Sequence, residues 1–337
     1  MDTEEGLRMQ PIDMVYCWCD GDDSAFKARK NSYLRRERNE HDKDSVGNHR
    51  FVDNEELRYS LRSLEMYAPW IHHVYIVTDR QVPKWLNSNN RRISIVDHSE
   101  IMPQNIIPCF NATVIEKFLA NIPGLSEYFL YGNDDMFFGR SVAPEFFFGT
   151  DGKPIVYVKF FEKFKHIWGE EDFLRKYKSV ESWMQTNLNA WKLLYDRYHK
   201  NEFYVLAHTI DGYRKSLFQT TIDRYKTDEK FYSLGRFRSA DEVARSIFGL
   251  DMVYSGDAVL SIVETPSFWQ KHIHKKRGYS WKCYCGSEDE KTRKQILRFE
   301  PYLFCINAAE NSSLDDKILM REFYEKMFPK PSSFELS

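Results

Sequence analysis

The residues best suited to chemistry are Asn133, Asp134 and Asp135. They stand between two apolar runs, Tyr128-Phe129-Leu130-Tyr131-Gly132 and Met136-Phe137-Phe138-Gly139. Two adjacent carboxylates in so apolar a setting are costly unless a positive charge sits on them. A divalent cation with oxygen ligands meets that need, and Mg²⁺ commonly takes one or two carboxylates together with substrate phosphates. Asp and Asn are also ordinary turn residues. The triplet therefore reads either as a metal site at a strand's end, holding a phosphorylated donor, or as a plain polar turn.

Other groups have chemical potential of their own. Asp20-Gly21-Asp22-Asp23 closes the apolar run Ile12 to Cys19, and an acidic glycine loop after a strand is where open α/β sheets bind ligands. Arg58 and Arg62 lie four apart on one helical face, a like-charge pair that a bound phosphate or facing carboxylates would relieve. Arg236 and Arg238 precede a helix expected from Asp241 to Leu250. Ser239 would cap that helix, leaving free N–H groups beside two guanidinium groups as an anion site. A lone His208 ends a short apolar segment before Asp211, either structural or catalytic. His272-Ile273-His274 and Cys283-Tyr284-Cys285 could clamp zinc, although Cys-x-Cys departs from the usual spacing and equally suits two residues on one face of a strand.

The elements that must position these groups follow from the apolar pattern. Strands are expected at Ile12–Cys19, Trp70–Thr78, Arg92–His98 and Tyr128–Gly132, with polar residues at their carboxyl ends. Helices are expected from Ser24, from Asp53 or Asn54 (with Leu57, Leu61 and Leu64 as the buried stripe) and over Asn111–Asn121, with a short helix or turn at Pro83–Asn90. This rhythm predicts an α/β fold with a mainly parallel sheet flanked by helices. The chain is expected to be a single domain over 1–337. Residues 12–149 form its α/β core, 159–204 a helical insertion or lid rich in Lys, Trp and Tyr, and 205–337 the remainder.

Composition sets limits. The 337 residues are 42% hydrophobic and 16% aromatic, which supports a large core and argues against disorder. A net charge of −2 gives no electrostatic case for bulk nucleic-acid binding. Local basic clusters (27–30, 35–36 and 272–277) suit a phosphate, a polyanionic polymer or a membrane surface. No apolar run approaches the roughly 20 residues of a membrane span, and residues 1–11 lack the apolar centre of a signal peptide. The expectation is a soluble cytoplasmic chain. Six cysteines are too sparse for a disulfide framework, so reduced thiols are expected.

Taken together, several blocks resemble the Stealth family of sugar-phosphate transferases. That family includes bacterial capsular and cell-wall polysaccharide phosphotransferases and the catalytic subunit of the lysosomal-enzyme N-acetylglucosamine-1-phosphotransferase. The first block runs from Ile12 to Asp23 and the second, long one from Phe51 to Gly139. The third joins His208–Lys215 to Arg236–Ser239, and the fourth joins Leu303–Asn307 to Phe328–Glu335. Two departures stand out: Cys17 and Cys19 flank Trp18 where relatives carry Thr and Val, and Asn307-Ala308-Ala309 lacks the acid that often follows the Asn.

The resemblance implies a single catalytic domain of glycosyltransferase-A-like fold, with residues 12–149 as its nucleotide-sugar-binding core, and an attack on phosphorus rather than on the anomeric carbon. Sugar-1-phosphate would pass from a UDP-sugar to a hydroxyl of an oligo- or polysaccharide, with release of UMP. Lipid-linked acceptors and peripheral membrane association at the inner face of the cell membrane are consistent with it. In that scheme Asp134 and Asp135 hold Mg²⁺ or Mn²⁺ with support from Asn133, His208 is the base, and Arg236 and Arg238 brace the transferred phosphate. Trp18, Asp20, Gly21, Asp53, Asn54, Arg58 and Arg62 serve the uridine diphosphate. Two alternatives remain open: an ordinary metal-dependent glycosyltransferase releasing UDP, and a non-catalytic glycan-binding module.

Overall fold

The computed structural model describes residues 10–36, 47, 51–161, 164, 167–263, 281–307 and 313–336. Its strands are β1 (Ile12–Cys17), β2 (Val74–Thr78), β3 (Ile93–Asp97), β4 (Tyr128–Asn133), β5 (Met136–Phe138), β6 (Ile155–Phe160), β7 (Tyr204–Leu206), β8 (Asp211–Arg214), β9 (Val259–Ile262), β10 (Cys283–Ser287) and β11 (Leu303–Asn307). Its α-helices are α1 (Ser24–Arg36), α2 (Glu56–Tyr67), α3 (His98–Ile101), α4 (Ala112–Ile115), α5 (Gly169–Lys178), α6 (Ser182–Tyr198), α7 (Lys215–Tyr225), α8 (Ser246–Tyr254), α9 (Glu290–Phe299) and α10 (Leu314–Met327).

The central sheet has the order β3-β2-β1-β4-β8. Its first four strands are parallel and β8 is antiparallel. Side chains alternate between its faces. Val15, Val77, Phe129 and Tyr131 pack with Val114, Leu119, Phe218 and Phe248 on one side. Met14, Tyr16, Ile76 and Leu130 pack with Leu57, Leu61 and Leu64 of α2 on the other. Both faces are covered, as a parallel sheet requires. The expected α/β class with a mainly parallel, helix-flanked sheet is what is observed.

At the end of β4 the chain turns through Asp134 and Asp135 and leaves the central sheet. It emerges as β5, which pairs antiparallel with β11 in a second sheet of order β10-β11-β5. Helix α2 holds β5 in place: Ser60 donates to the Met136 carbonyl at 2.5 Å, and Ser63 accepts from the Phe138 N–H at 3.0 Å. A third sheet, β7-β6-β9, brackets α5 and α6. Phe164, Phe173, Trp191 and Phe203 of that stretch form a core cluster of their own, with Phe173 stacked on Trp191 at 5.8 Å between centroids, while Trp168 and Trp183 are exposed.

Several boundaries differ from expectation. Neither Asp53 nor Asn54 caps α2; Glu55 takes the cap position with φ 64° and no side-chain bond. The Asp53 carboxylate accepts from the Glu55 N–H instead, and Asn54 is bound by Glu56. The helix expected from Asp241 starts at Ser246, capped by the backbone of Arg245, so Ser239 heads no helix. Asn111–Asn121 is one α turn followed by 3₁₀ structure from Glu116.

The chain's end is tied to α2. Glu335 accepts from Arg58 Nε at 2.6 Å, Arg62 Nε at 2.7 Å and the Ser332 N–H at 2.8 Å. Burial alone would push the Glu335 carboxyl up; the bonds from Arg62, the Ser332 N–H and Arg58 overcome it and hold the group at about 2. A carboxyl held below its unfolded value stabilises the fold above about pH 4, and that contribution fades as pH falls toward 2. Glu335→Gln is therefore expected to cost about 2 kcal/mol at pH 7. In thermal melts across pH, its deficit should narrow below about pH 4.

Candidate active site

Strands β1 and β4 are paired in register, with Cys17 beside Asn133. The loop after β1 and the turn after β4 thus open at the same carboxyl edge of the sheet. Gly21 closes the first loop by donating its N–H to the Phe51 carbonyl at 2.6 Å. A Cβ there would stand 2.1 Å from that oxygen, so no larger residue fits. Gln81 braces Asp20 from both sides, accepting its N–H at 3.1 Å and donating to its carbonyl at 2.8 Å. The Trp18 ring is buried in the core beneath.

Four acids converge at this edge. Asp134 is held well above the usual carboxylate range, by burial first and then by the charges of Asp135, Glu56 and Asp53. Burial pushes Asp135 up to about 6, opposed by a hydrogen bond from Cys305 and by the charge of Arg245. Burial also takes Asp53 to about 6 and Glu56 to about 7, against bonds from the Glu55 N–H and from Asn54 respectively. The Asp135 Oδ1 atom is buried without a hydrogen-bond partner among the described residues. Buried carboxylates crowded so that three acids raise Asp134, with an orphaned oxygen among them, are the donor set a hard divalent cation fits. The two aspartates face different ways in charge: Asp134 feels Glu56 and Asp53, and Asp135 feels Cys305 and Arg245. Asn133 accepts from the Tyr131 hydroxyl at 3.1 Å.

Strand β11 joins this edge to His208. The Cys305 thiol lies 3.4 Å from Asp135 Oδ2 and 3.3 Å from Asn307 Oδ1. His208 sits between β7 and β8 with φ 55°, a left-handed backbone uncommon outside glycine. The residue is exposed to solvent, yet neighbouring protein atoms crowd its ring. That crowding and the charge of Arg245 push the imidazole down to about 4, against a bond with Asn307, and Lys159 and Arg238 act in the same direction. The ring is therefore neutral at working pH and surrounded by cations.

Arg245 is the hub on that side. Its guanidinium pairs with Asp211 at 3.0 Å, lies 3.7 Å from Glu116 and stands over the Tyr131 ring at 4.7 Å. Tyr131 in turn donates to Glu116 at 3.0 Å.

The expected site residues thus separate into groups. Asn133, Asp134, Asp135, Asp53 and the loop of Trp18, Asp20 and Gly21 share one edge, and His208 and Arg238 lie on the cationic side. Asn54 serves Glu56 rather than open space. Arg58 and Arg62 are bound to Glu335, the facing carboxylate that relieves their repulsion. Arg236 donates to the Asn105 carbonyl at 2.6 Å and stands over the Tyr33 ring at 4.8 Å. The basic cluster of α1 is internally engaged: Lys27 pairs with Asp22, Arg29 with Asp79, and Lys30 lies over Phe51. The cluster at 272–277, with His272 and His274, lies outside the described residues. Sequence reading missed Glu56, Glu116, Asp211 and Arg245. The available signal was a charged group inside an apolar stretch, as in Val114-Ile115-Glu116.

Comparison with known proteins follows the same lines. The fold and site define an α/β protein whose candidate centre lies at the carboxyl edge of a mainly parallel sheet. Residues 50–156 match Stealth protein CR2, conserved region 2. The capsular polysaccharide phosphotransferase LcbA of Neisseria meningitidis is 34% identical over 254 residues, covering 73% of this chain and 66% of that protein. The exopolysaccharide phosphotransferase SCO6023 of Streptomyces coelicolor is 48% identical over 143 residues, 42% of this chain and 24% of that protein. The capsular polysaccharide phosphotransferase cps1A of Actinobacillus pleuropneumoniae is 30% identical over 259 residues, 76% of this chain and 69% of that protein. The chain belongs to the Stealth family of polysaccharide phosphotransferases. It spans less than two thirds of the length of the first two relatives. Among solved structures, the galactosyltransferase LgtC with donor and acceptor sugar analogues aligns at a TM-score of 0.41 and 8% identity, covering 95% of this chain and 96% of that one.

Proposed function

We propose that the chain transfers sugar-1-phosphate from a UDP-sugar to a hydroxyl of a glycan, in the synthesis of capsular or other cell-surface polysaccharide, and releases UMP. The observation that supports this best is the juxtaposition at β11: a carboxylate turn for a cation, one thiol away from a neutral histidine ringed by positive charge. Phosphoryl transfer asks for that division, with positioning and charge stabilisation doing most of the catalysis.

Asp134 and Asp135, with Asp53 and Glu56 behind them, would hold a hard divalent ion, Mg²⁺ or Mn²⁺. Bound there, the ion supplies charge neutralisation on the leaving UMP oxygens. The loop of Asp20 and Gly21, its backbone held by Gln81 and Phe51, would form a rigid wall beside the uridine diphosphate. His208 takes the proton of the acceptor hydroxyl as its oxygen bonds to the sugar-bearing phosphorus and the bridging P–O bond to UMP breaks. Arg238 and Arg245 face the negative charge of the transferred phosphate, whose arrival also raises the depressed basicity of His208. Arg58 and Arg62 are structural in this scheme. A glycolipid-linked acceptor would place the work at the inner membrane face. No helix among the described residues is long and apolar enough to cross a membrane.

The test is product identity. With a panel of UDP-sugars, a glycan acceptor and Mg²⁺, UMP is the expected nucleotide product. UDP alone would replace this reading with ordinary glycosyl transfer, and donor binding without any product would leave a binding module. His208→Ala is expected to lower turnover by about 10²–10⁴-fold with donor affinity nearly unchanged, read by UMP release and calorimetry.

A further inference from the structure

Beside the carboxylate edge stands a cluster of softer donors. One imidazole nitrogen of His208 and the Cys285 and Cys305 sulfurs all lie within 4.8 Å of one another. The arrangement is built by the sheet, because Cys285 and Cys305 are direct partners across the parallel pair β10–β11. His208 joins them from the connection between β7 and β8, where its backbone is left-handed. The Asn307 amide lies between the two sulfurs, accepting from Cys305 at 3.3 Å and donating to Cys285 at 3.6 Å.

We propose that His208, Cys285 and Cys305 form a second cation site, for a thiophilic divalent ion of the Zn²⁺ type, and that its occupation shuts off the transferase. Two sulfurs and one imidazole with an open fourth position are a zinc donor set, and soft ligands of this kind select against Mg²⁺. Zn–S bonds of about 2.3 Å and Zn–N bonds of about 2.0 Å place tetrahedral ligand atoms roughly 3.5–3.8 Å apart. The triangle of donors must therefore contract by about 1 Å, within reach of side-chain rotation as the solvent-facing Asn307 amide swings aside. Asp135 Oδ2, 3.4 Å from the Cys305 sulfur, is placed to be the fourth ligand. Binding exchanges two thiol protons, released to solvent, for two metal–sulfur bonds.

The site differs from the His272, His274, Cys283 and Cys285 clamp suggested by sequence. Cys305 comes from the next strand and His208 from the connection between β7 and β8. Binding rests on this geometry alone. Inhibition rests in addition on the roles proposed above for His208 and Asp135, since one ion would withdraw both.

The experiment uses the whole chain in a phosphine-reduced buffer with excess Mg²⁺. Zn²⁺ is titrated in competition with a chromophoric chelator, and Co²⁺ replaces it for absorption spectra. One equivalent should bind, with thiolate-to-cobalt charge transfer in the near ultraviolet. Cys285→Ser, at a half-buried position outside the reaction scheme, should weaken Zn²⁺ at least about 100-fold. It should keep Mg²⁺-supported UMP release and resist Zn²⁺ inhibition. His208→Gln should weaken Zn²⁺ as well. Unchanged Zn²⁺ affinity in both variants, or a cobalt spectrum without charge transfer, overturns the site. Zinc bound through thiols without inhibition overturns the shut-off. Thiol-bound zinc in a chain that never releases UMP upholds the site and overturns the reaction instead.

Discussion

Asp135→Asn is expected to lower UMP release by about 10³-fold or more while the protein remains folded. The residue stands where the chain leaves the central sheet for β5, and its backbone carbonyl accepts the Ile306 N–H of β11 at 3.1 Å. That bond survives the substitution, so the turn keeps its shape. What changes is charge. Asp135 titrates at about 6 in the folded chain, above its unfolded value near 4. A group raised in this way stabilises the fold at low pH and loses that contribution as pH rises through about 6. Without divalent ions the amide should therefore melt higher than the parent at pH 8 and level with it near pH 4. With Mg²⁺ the order should invert, because only the parent gains the binding free energy of the ion. Melting curves at two pH values, with and without Mg²⁺, check this. A variant still stabilised by Mg²⁺ as much as the parent would remove Asp135 from the cation site.

The same residues show how far the sequence could be read. The parallel strands were legible because each is a run of apolar residues with punctuation at its carboxyl end, as in Ile12–Cys17 followed by Asp20-Gly21. The turn at Asp134 and Asp135 was legible because two acids interrupt an apolar run there. The partners of Arg58 and Arg62 were not. Glu335 is 277 and 273 residues away, and nothing local marks it. Two arginines on one face look the same whether a phosphate or a distant carboxylate awaits them. Helix α8 was misplaced for a related reason: Ser239 offers a cap, but the chain spends residues 241–245 wrapping Glu242 and Arg245 inward before the helix begins. Asn111 bonds Glu242, and Arg245 reaches Asp211. The soft-donor triangle needs three separate strands or loops in register, and only the folded chain supplies that.

Arg245→Met should be the most destabilising of these substitutions. Methionine fills much of the same volume, so the effect is electrostatic rather than a cavity. It leaves Asp211 and Glu116 enclosed without their cation. Asp211 already sits at about 6, pushed up by burial and by Glu116 despite Arg245. Breaking a buried pair by removing one partner costs about 3–5 kcal/mol, a fall in Tm on the order of 5–10 °C. The sign with pH follows. Without the arginine the Asp211 carboxyl rises further above its unfolded value, so the variant loses stability as pH climbs from about 4 toward neutrality. The gap between variant and parent should thus be wide at pH 8 and narrow at pH 5. Adding Asp211→Asn should return part of the loss, because it removes the charge left uncompensated. Activity should not return with it. Arg245 also sets the field at His208 and Asp135, and an amide at 211 supplies no positive charge to face the transferred phosphate. A double variant that regained full turnover would reduce Arg245 to a structural ion-pair partner.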